Sequence, residues 1–299
     1  MLELVHMSKC FGQVQALDDL SLRVHPGEIM GMIGQNGAGK STTFRLMLNF
    51  LRPDTGYALF DGQAIKGKLY NRVGYLPEER GLYQKITVEE QILYFAELRG
   101  CKRSSIAPQI GQWMDKFEVK GKKTSKIKEL SKGNQQKVQL ITTLIHQPDL
   151  IILDEPFSGL DPVNAGLFKE AIFEAKDRGA TIIFSSHNMD NVAQLCDSLT
   201  MLKDGRQVLQ GNLERVRQSF GRTRLKVEAS VTLEHLLAKD GVVSGRAIGA
   251  SRFELVLANE EVGRDLFDAL TAHGYIYEFS QQPPTLEEIF KEMVVEAHA

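Results

Sequence analysis

A chain of 299 residues, 42% hydrophobic and 25% charged, is long enough for two or three compact units and has the make-up of a globular protein. Its net charge of −2 offers no general attraction to nucleic acid, and its 3 cysteines, scattered and odd in number, exclude a disulfide framework and point to a reducing cytosol. No apolar run approaches the ~20 residues that span a bilayer and no leader pattern opens the chain, so any membrane role is expected to come through a partner. The charge is uneven: residues 221–299 hold 8 Lys/Arg and 13 Asp/Glu, which leaves +3 on residues 1–220 and argues against a nucleic-acid-binding tail.

Residues 2–24 alternate apolar and polar, as half-buried strands do, around a turn at Lys9-Cys10-Phe11-Gly12. Phe11 is either a face for an adenine ring or an ordinary apolar residue at a hairpin end. Ile29-Met30-Gly31-Met32-Ile33 is a buried strand, and Phe44, Met47, Leu48 and Leu51 recur at helical spacing behind it. Between them, Gly34-Gln35-Asn36-Gly37-Ala38-Gly39-Lys40-Ser41-Thr42 has the residues and the strand–helix setting of a phosphate-binding loop. Glycines let backbone N–H groups close on phosphate oxygens, and the helix start adds unpaired donors and a positive dipole end. Lys40 is expected to reach the β- and γ-phosphates and the Ser41 hydroxyl to ligate Mg²⁺.

Tyr57–Phe60 and Val73–Leu76 are short strands, the second followed by Pro77-Glu78-Glu79-Arg80. Residues 87–147 form a mostly helical insert between two halves of an α/β sheet. Eight lysines lie between 116 and 137 against Glu118 and Glu129, either a solvated face or a field for a polyanion such as nucleotide phosphate. Ser131 N-caps the next helix, and the small Gly133 leaves its tip open to an anion. Leu150–Leu153 is a strand buried on both faces that ends in Asp154 and Glu155. Asp154 there is expected to hold Mg²⁺, and Glu155 to orient or deprotonate an attacking water. Ser158-Gly159-Leu160-Asp161-Pro162 is a tight loop with Asp161 as N-cap, and Ser185-Ser186-His187 leaves one more buried strand, with His187 at the ligand edge.

Residues 224–299 follow the order β-α-β-β-α-β of a ferredoxin-like split unit. No catalytic constellation appears in that unit, and a structural or dimer-supporting appendage is preferred over ligand sensing.

With the phosphate loop, Leu130–Lys137, Leu150–Glu155, Ser158–Asp161 and His187 in this order, residues 1–220 resemble the ATP-binding subunit of ABC transporters. Leu76–Tyr83, Leu130–Lys137 and Leu286–Phe290 make the chain most similar to subunits of ABC-2 type export systems, including sodium-extruding ones. The resemblance implies an ABC-type P-loop NTPase core with an antiparallel β subdomain and a helical insert (about 87–147), and a small α+β domain at 221–299. It implies a head-to-tail dimer, with itself or a paralogue, holding two Mg-ATP. Lys40, Ser41 and Asp154 of one subunit would grip each ATP, capped by Ser131 and Gly133 of the other. Gly34, Asn36, Gly37, Gly39 and Thr42 belong to the loop. Phe11 takes the adenine-stacking place, Ser158 to Asp161 the loop crossing the dimer axis, His187 the γ-phosphate contact and Glu155 the base. Three positions depart from the family. Lys132 and Asn134 replace the third and fifth members of the family's usual Leu-Ser-Gly-Gly-Gln signature, and Glu78 replaces the usual glutamine, where it would ligate Mg²⁺ or a lytic water. A membrane permease is the implied partner, docking on Glu78 to about Gln91, so the subunit would lie at the cytoplasmic face of the cell membrane. The alternative is a soluble ABC-type ATPase acting on ribosomes or DNA, whose usual second core or long coiled coil is not visible.

Overall fold

The structure is a computed structural model that describes residues 1–79, 81–272 and 274–295. Arg80, part of the expected docking segment, lies outside the described residues. The chain divides into two compact units, Met1–Gln210 and Gly211–Ala299.

The first unit opens with an antiparallel hairpin of β1 (Leu2–Phe11) and β2 (Val14–Val24), whose alternating burial matches the sequence alternation. The all-apolar run becomes β3 (Ile29–Ile33), buried at every residue. It feeds α1 (Lys40–Met47) and then β4 (Thr55–Phe60) and β5 (Val73–Leu76). The helical pattern through Leu51 overshoots: α1 stops at Met47, and Asn49 turns the chain at φ 57°. Asn tolerates that left-handed backbone, and Leu51 packs on the core from beyond the turn.

The insert holds α2 (Val88–Leu98), α3 (Arg103–Ile106), α4 (Ile110–Lys116) and α5 (Lys132–Leu144). Thr87 starts α2 with a reciprocal cap. Its hydroxyl accepts from Glu90 N–H at 3.2 Å and Glu90 Oε2 accepts from Thr87 N–H at 2.8 Å, an arrangement worth about 1 kcal/mol. The chain continues through β6 (Leu150–Leu153), α6 (Pro162–Asp177), β7 (Thr181–Ser186), α7 (Met189–Leu195), β8 (Ser198–Lys203) and β9 (Arg206–Asn212).

One nine-stranded sheet runs β4-β1-β2-β9-β8-β3-β7-β6-β5. β8, β3, β7, β6 and β5 are parallel neighbours, and the antiparallel β4-β1-β2 wing joins β9, next to β8, through a single parallel pairing, Asp18↔Arg206. Parallel strands deliver whatever follows them to one edge of the sheet. The glycine loop after β3, Ser185–His187 at the end of β7, Asp154-Glu155 after β6 and Pro77-Glu78 after β5 therefore gather along four adjacent strand ends.

The second unit contains α8 (Leu213–Ser219), β10 (Arg224–Ala229), α9 (Leu233–Leu237), β11 (Val242–Ala247), β12 (Arg252–Leu257), α10 (Glu261–Thr271), β13 (Ile276–Gln282) and α11 (Leu286–Val295). Its antiparallel sheet has the order β11-β12-β10-β13, the ferredoxin-like split arrangement. Leu225, Val227, Phe253, Leu255 and Leu257 meet Leu236, Leu266 and Leu270 in its own core.

Candidate active site

The glycine loop is shaped by backbone that other residues resist. Gly39, the N-cap of α1, has φ 103°, and a Cβ there would stand 2.6 Å from Ala16 O of β2. A Cβ on Gly34 would meet Leu202 O at 2.5 Å. The loop is thus seated against the neighbouring β2 and β8 while Asn36 and Gly37 face outward. Lys40 is 6% exposed, and its Nζ donates to Gly34 O at 2.8 Å and Gln35 O at 3.2 Å, inside the loop. Ser41 and Thr42 follow in the first turn of α1, half-buried.

Beside the loop, β7 and β6 supply a hydrogen-bonded chain of side chains. Ser185 Oγ donates to Asp154 Oδ1 at 2.6 Å and accepts from Glu155 N–H at 2.9 Å. Asp154 N–H in turn donates to Leu76 O at 2.8 Å, tying the carboxylate's backbone to β5. Glu155 sits at φ 49°, a left-handed backbone costing on the order of 1 kcal/mol for a residue with a Cβ. That twist turns its carboxylate away from Asp154 toward the loop. Oε2 pairs with His187 Nδ1 at 2.9 Å, while buried Oε1 has no hydrogen-bond partner and stands 3.9 Å from Lys40 Nζ. His187 leaves the sheet and is exposed. Behind this group, burial and the Asp154 charge push the Tyr75 phenol up to about 12.

Asp154, Glu155, Glu78 and Ser158 line one cavity of about 390 Å³ together with Gln136 and Gln139 of α5. Gln136 Nε2 donates to Pro156 O at 3.1 Å and Ser158 O at 3.2 Å, so α5 fixes the segment after the carboxylates. By sequence alone, Ser185 and Gln136 have no role beyond membership of their segments, and Gln139 is not singled out. A serine at a strand end and glutamines on the polar stripe of a helix look like many others. Only their burial, at 0%, 8% and 7% exposure, marks them.

The remaining residues stand apart. Phe11 ends β1 and is 48% exposed, with Lys9 Nζ 5.6 Å from its ring centre. It pairs with Val14, two residues from the Ala16 carbonyl that abuts Gly39. Ser131 caps α5, accepting from Asn134 N–H at 3.4 Å and from its Nδ2 at 2.8 Å. Asn134 Oδ1 also accepts from Lys120 N–H at 2.8 Å, so this departure from the family signature braces the cap to the preceding loop. A Cβ on Gly133 would meet nothing within 4 Å. Asp161 caps α6, and the N–H of Asn164 holds its carboxyl below the usual range.

Ser41 and Asp154 are hard oxygen donors that suit Mg²⁺. No group of three or more His, Cys, Asp or Glu poised to hold a metal occurs among the described residues. A metal here would share its shell with phosphate oxygens and water.

The family model described as ABC transporter matches residues 17–158, and the one for the C-terminal domain of DrrA1-3-like ATP-binding proteins matches 211–294. YhaQ, an uncharacterized ABC transporter ATP-binding protein of Bacillus subtilis, is 40% identical over 294 residues, covering 98% of each chain. NatA, an ABC transporter ATP-binding protein of the same organism, is 38% identical over 210 residues, 69% of this chain and 85% of its own. A solved ATP-binding subunit of an ABC transporter superimposes with a TM-score of 0.69 at 31% identity, over 74% of this chain and 93% of that one. The chain belongs to the ATP-binding subunits of ABC transporters, which hydrolyse ATP to power transport, and it carries a DrrA-like C-terminal domain.

Proposed function

We propose that this subunit drives export through a separate ABC-2 type permease, working as a head-to-tail dimer with itself or a paralogue. The observation that carries this reading is the split of phosphate-facing groups. Lys40, Asp154, Glu155 and His187 cluster at one sheet edge, whereas exposed Ser131 and half-buried Gly133 form a helix tip with open space where a Gly133 Cβ would stand. A second copy brings that tip to the triphosphate, which then glues the two surfaces together.

In this reading Lys40 exchanges the carbonyls of Gly34 and Gln35 for β- and γ-phosphate oxygens, supported by Gly34, Asn36, Gly37, Gly39 and Thr42 of the loop. Phe11 stacks on adenine. Ser41 and Asp154, with Glu78 in the cavity that Asp154 lines, are the groups that would hold Mg²⁺, which neutralises phosphate charge when bound. Glu155 takes the proton of the attacking water on its unpartnered Oε1, and His187 orients Glu155 and reaches the γ-phosphate. Ser158 and Asp161 flank the loop that meets the partner across the dimer axis. Most of the rate then comes from positioning and fixed charge.

The docking face for the permease is a groove of about 700 Å³ beside α2, lined by Tyr83, Ile86, Glu90, Tyr94 and Arg103 among others. Tyr83 and Tyr94 are exposed and pack edge to face at 5.8 Å, an aromatic rim suited to a short amphipathic segment. The subunit would lie against the cytoplasmic face of the membrane. No helix long and apolar enough to cross a bilayer occurs among the described residues. Affinity capture from solubilised membranes tests the reading. Recovery of an integral membrane permease supports it, and recovery of ribosomes without a membrane protein overturns it. Charge reversal at Glu79 that leaves capture and coupled turnover unchanged would remove the segment near Glu79 from the docking face.

A further inference from the structure

Apart from Lys132 at the Ser131–Gly133 tip and the Lys120 N–H that braces its cap, the lysine run at 116–137 has no part in the site above. Lys137 is buried and donates to Glu118 O at 3.1 Å, Lys116 pairs with Glu174, and Lys123 Nζ lies 3.2 Å from Glu89. Lys120, Lys122, Lys126 and Lys128 are exposed, and no ion pair engages them among the described residues. These four charges do not ride on a free loop. Val88 N–H donates to Ser125 O at 3.0 Å, Glu89 N–H to Lys123 O at 2.9 Å, Ile127 N–H to Ile86 O at 3.0 Å and Lys128 N–H to Gln84 O at 3.1 Å. Ile127, fully buried between the lysines, pins the loop from beneath. The loop is thus laced through its backbone to Gln84 and Ile86, which line the aromatic-rimmed groove, so the stretch that carries Lys126 and Lys128 forms the groove's margin. Holding like charges side by side opposes folding slightly, so an arrangement that fixes them in register suits an extended anionic surface.

We propose that this lysine margin is a binding surface for anionic phospholipid headgroups, which hold the subunit against the bilayer beside its permease. The inference rests on the groove being the permease-docking face, since that places the margin toward the membrane. Clusters of four to eight basic residues next to a membrane are attracted to the negative leaflet, falling off within a Debye length. A nucleic acid is disfavoured because the margin is a short row without a groove of duplex width, and the C-terminal unit is acidic.

The test is flotation of the purified full-length chain with vesicles of phosphatidylcholine alone or mixed with phosphatidylglycerol. Binding is expected only with phosphatidylglycerol, weakening as salt rises. The triple variant Lys122→Gln, Lys126→Gln, Lys128→Gln should bind roughly 100-fold more weakly, at about five-fold per charge. The corresponding triple Lys→Arg variant should bind like the parent, and ATP turnover without membranes should be unchanged in both. Equal binding to neutral vesicles, undiminished binding of the glutamine variant, or lysine-dependent binding to DNA in place of vesicles would each overturn the proposal. The assay contains no permease. Vesicle binding without permease capture would sink the docking reading alone, and capture without vesicle binding would sink the lipid surface alone.

Discussion

Nδ1 of His187 lies 2.9 Å from Oε2 of Glu155, joining the ends of two neighbouring parallel strands through their side chains. The contact leaves Oε1 of Glu155 unpartnered and 3.9 Å from Lys40. One oxygen is therefore anchored and the other faces the phosphate loop, as a base working on water requires. Glu155→Gln keeps the shape and removes the basicity. Turnover should fall about 100-fold or more while ATP affinity stays within a few-fold. Phosphate release and equilibrium nucleotide binding on the same preparation check this, and unchanged turnover would remove Glu155 as the base.

Ser185 is the residue through which Asp154 and Glu155 share one support. Ser185→Ala removes both the donor to Asp154 and the acceptor for the Glu155 N–H, in a fully buried place. The stranded N–H should lower stability by about 1–3 kcal/mol. The loosened carboxylates should lower kcat more than they raise KM. Denaturant titration and steady-state kinetics read the two effects separately.

Glycines in the phosphate loop differ in why they are glycine. At Gly39 the positive φ is combined with Ala16 O only 2.6 Å from a Cβ, whereas at Gly37 (φ 87°) a Cβ meets nothing within 4 Å. Gly39→Ala should thus abolish nucleotide binding and lower the melting temperature. Gly37→Ala should carry backbone strain alone, on the order of 1 kcal/mol. Equal effects from the two substitutions would contradict the steric account.

His146 gives the core an acid sensitivity unrelated to catalysis. Its Nε2 meets Val73 O at 3.2 Å, its Nδ1 is buried without a partner, and burial pushes it down to about 4 from an ordinary 6.5. The unfolded chain takes up this proton near pH 6.5, while the folded chain resists until about pH 4. Stability from the neutral ring is therefore complete above pH 6.5 and declines as pH falls toward 4, by roughly 3 kcal/mol in all. Urea unfolding between pH 7 and pH 5 should show this slope, and His146→Asn should flatten it. The lowered carboxyls of Asp54 and Asp161 act only at more acid pH.

What the sequence made legible is chemistry written in residue type at fixed spacing. Gly34–Thr42 and Asp154-Glu155 announce themselves because few other roles need those residues together, and the structure sets them at the ends of β3 and β6, on either side of β7. The order β-α-β-β-α-β was readable from 224 onward because alternation and helical spacing change cleanly there. What escaped is decided by burial across the sheet. Ser185 and Gln136 act through partners 31 and 22 residues away, which no local pattern records. The stretch 188–223 bears no motif, yet β8 lies directly beside β3 and its Leu202 carbonyl walls the loop at Gly34. The end of α1 was misplaced because the periodicity of Leu51 continues after Asn49 has already turned the chain.

The central claim is that ATP joins two copies through the glycine loop of one and the Ser131–Gly133 tip of the other. The direct measurement is the mass in solution of the Glu155→Gln chain with Mg-ATP, with and without Gly133→Asp. Open space at Gly133 lets the aspartate fold in place while setting its charge against the triphosphate. The account predicts an ATP-dependent dimer that Gly133→Asp returns to monomer with melting temperature unchanged. A chain that stays monomeric with ATP at every concentration, even with its permease present, would contradict it.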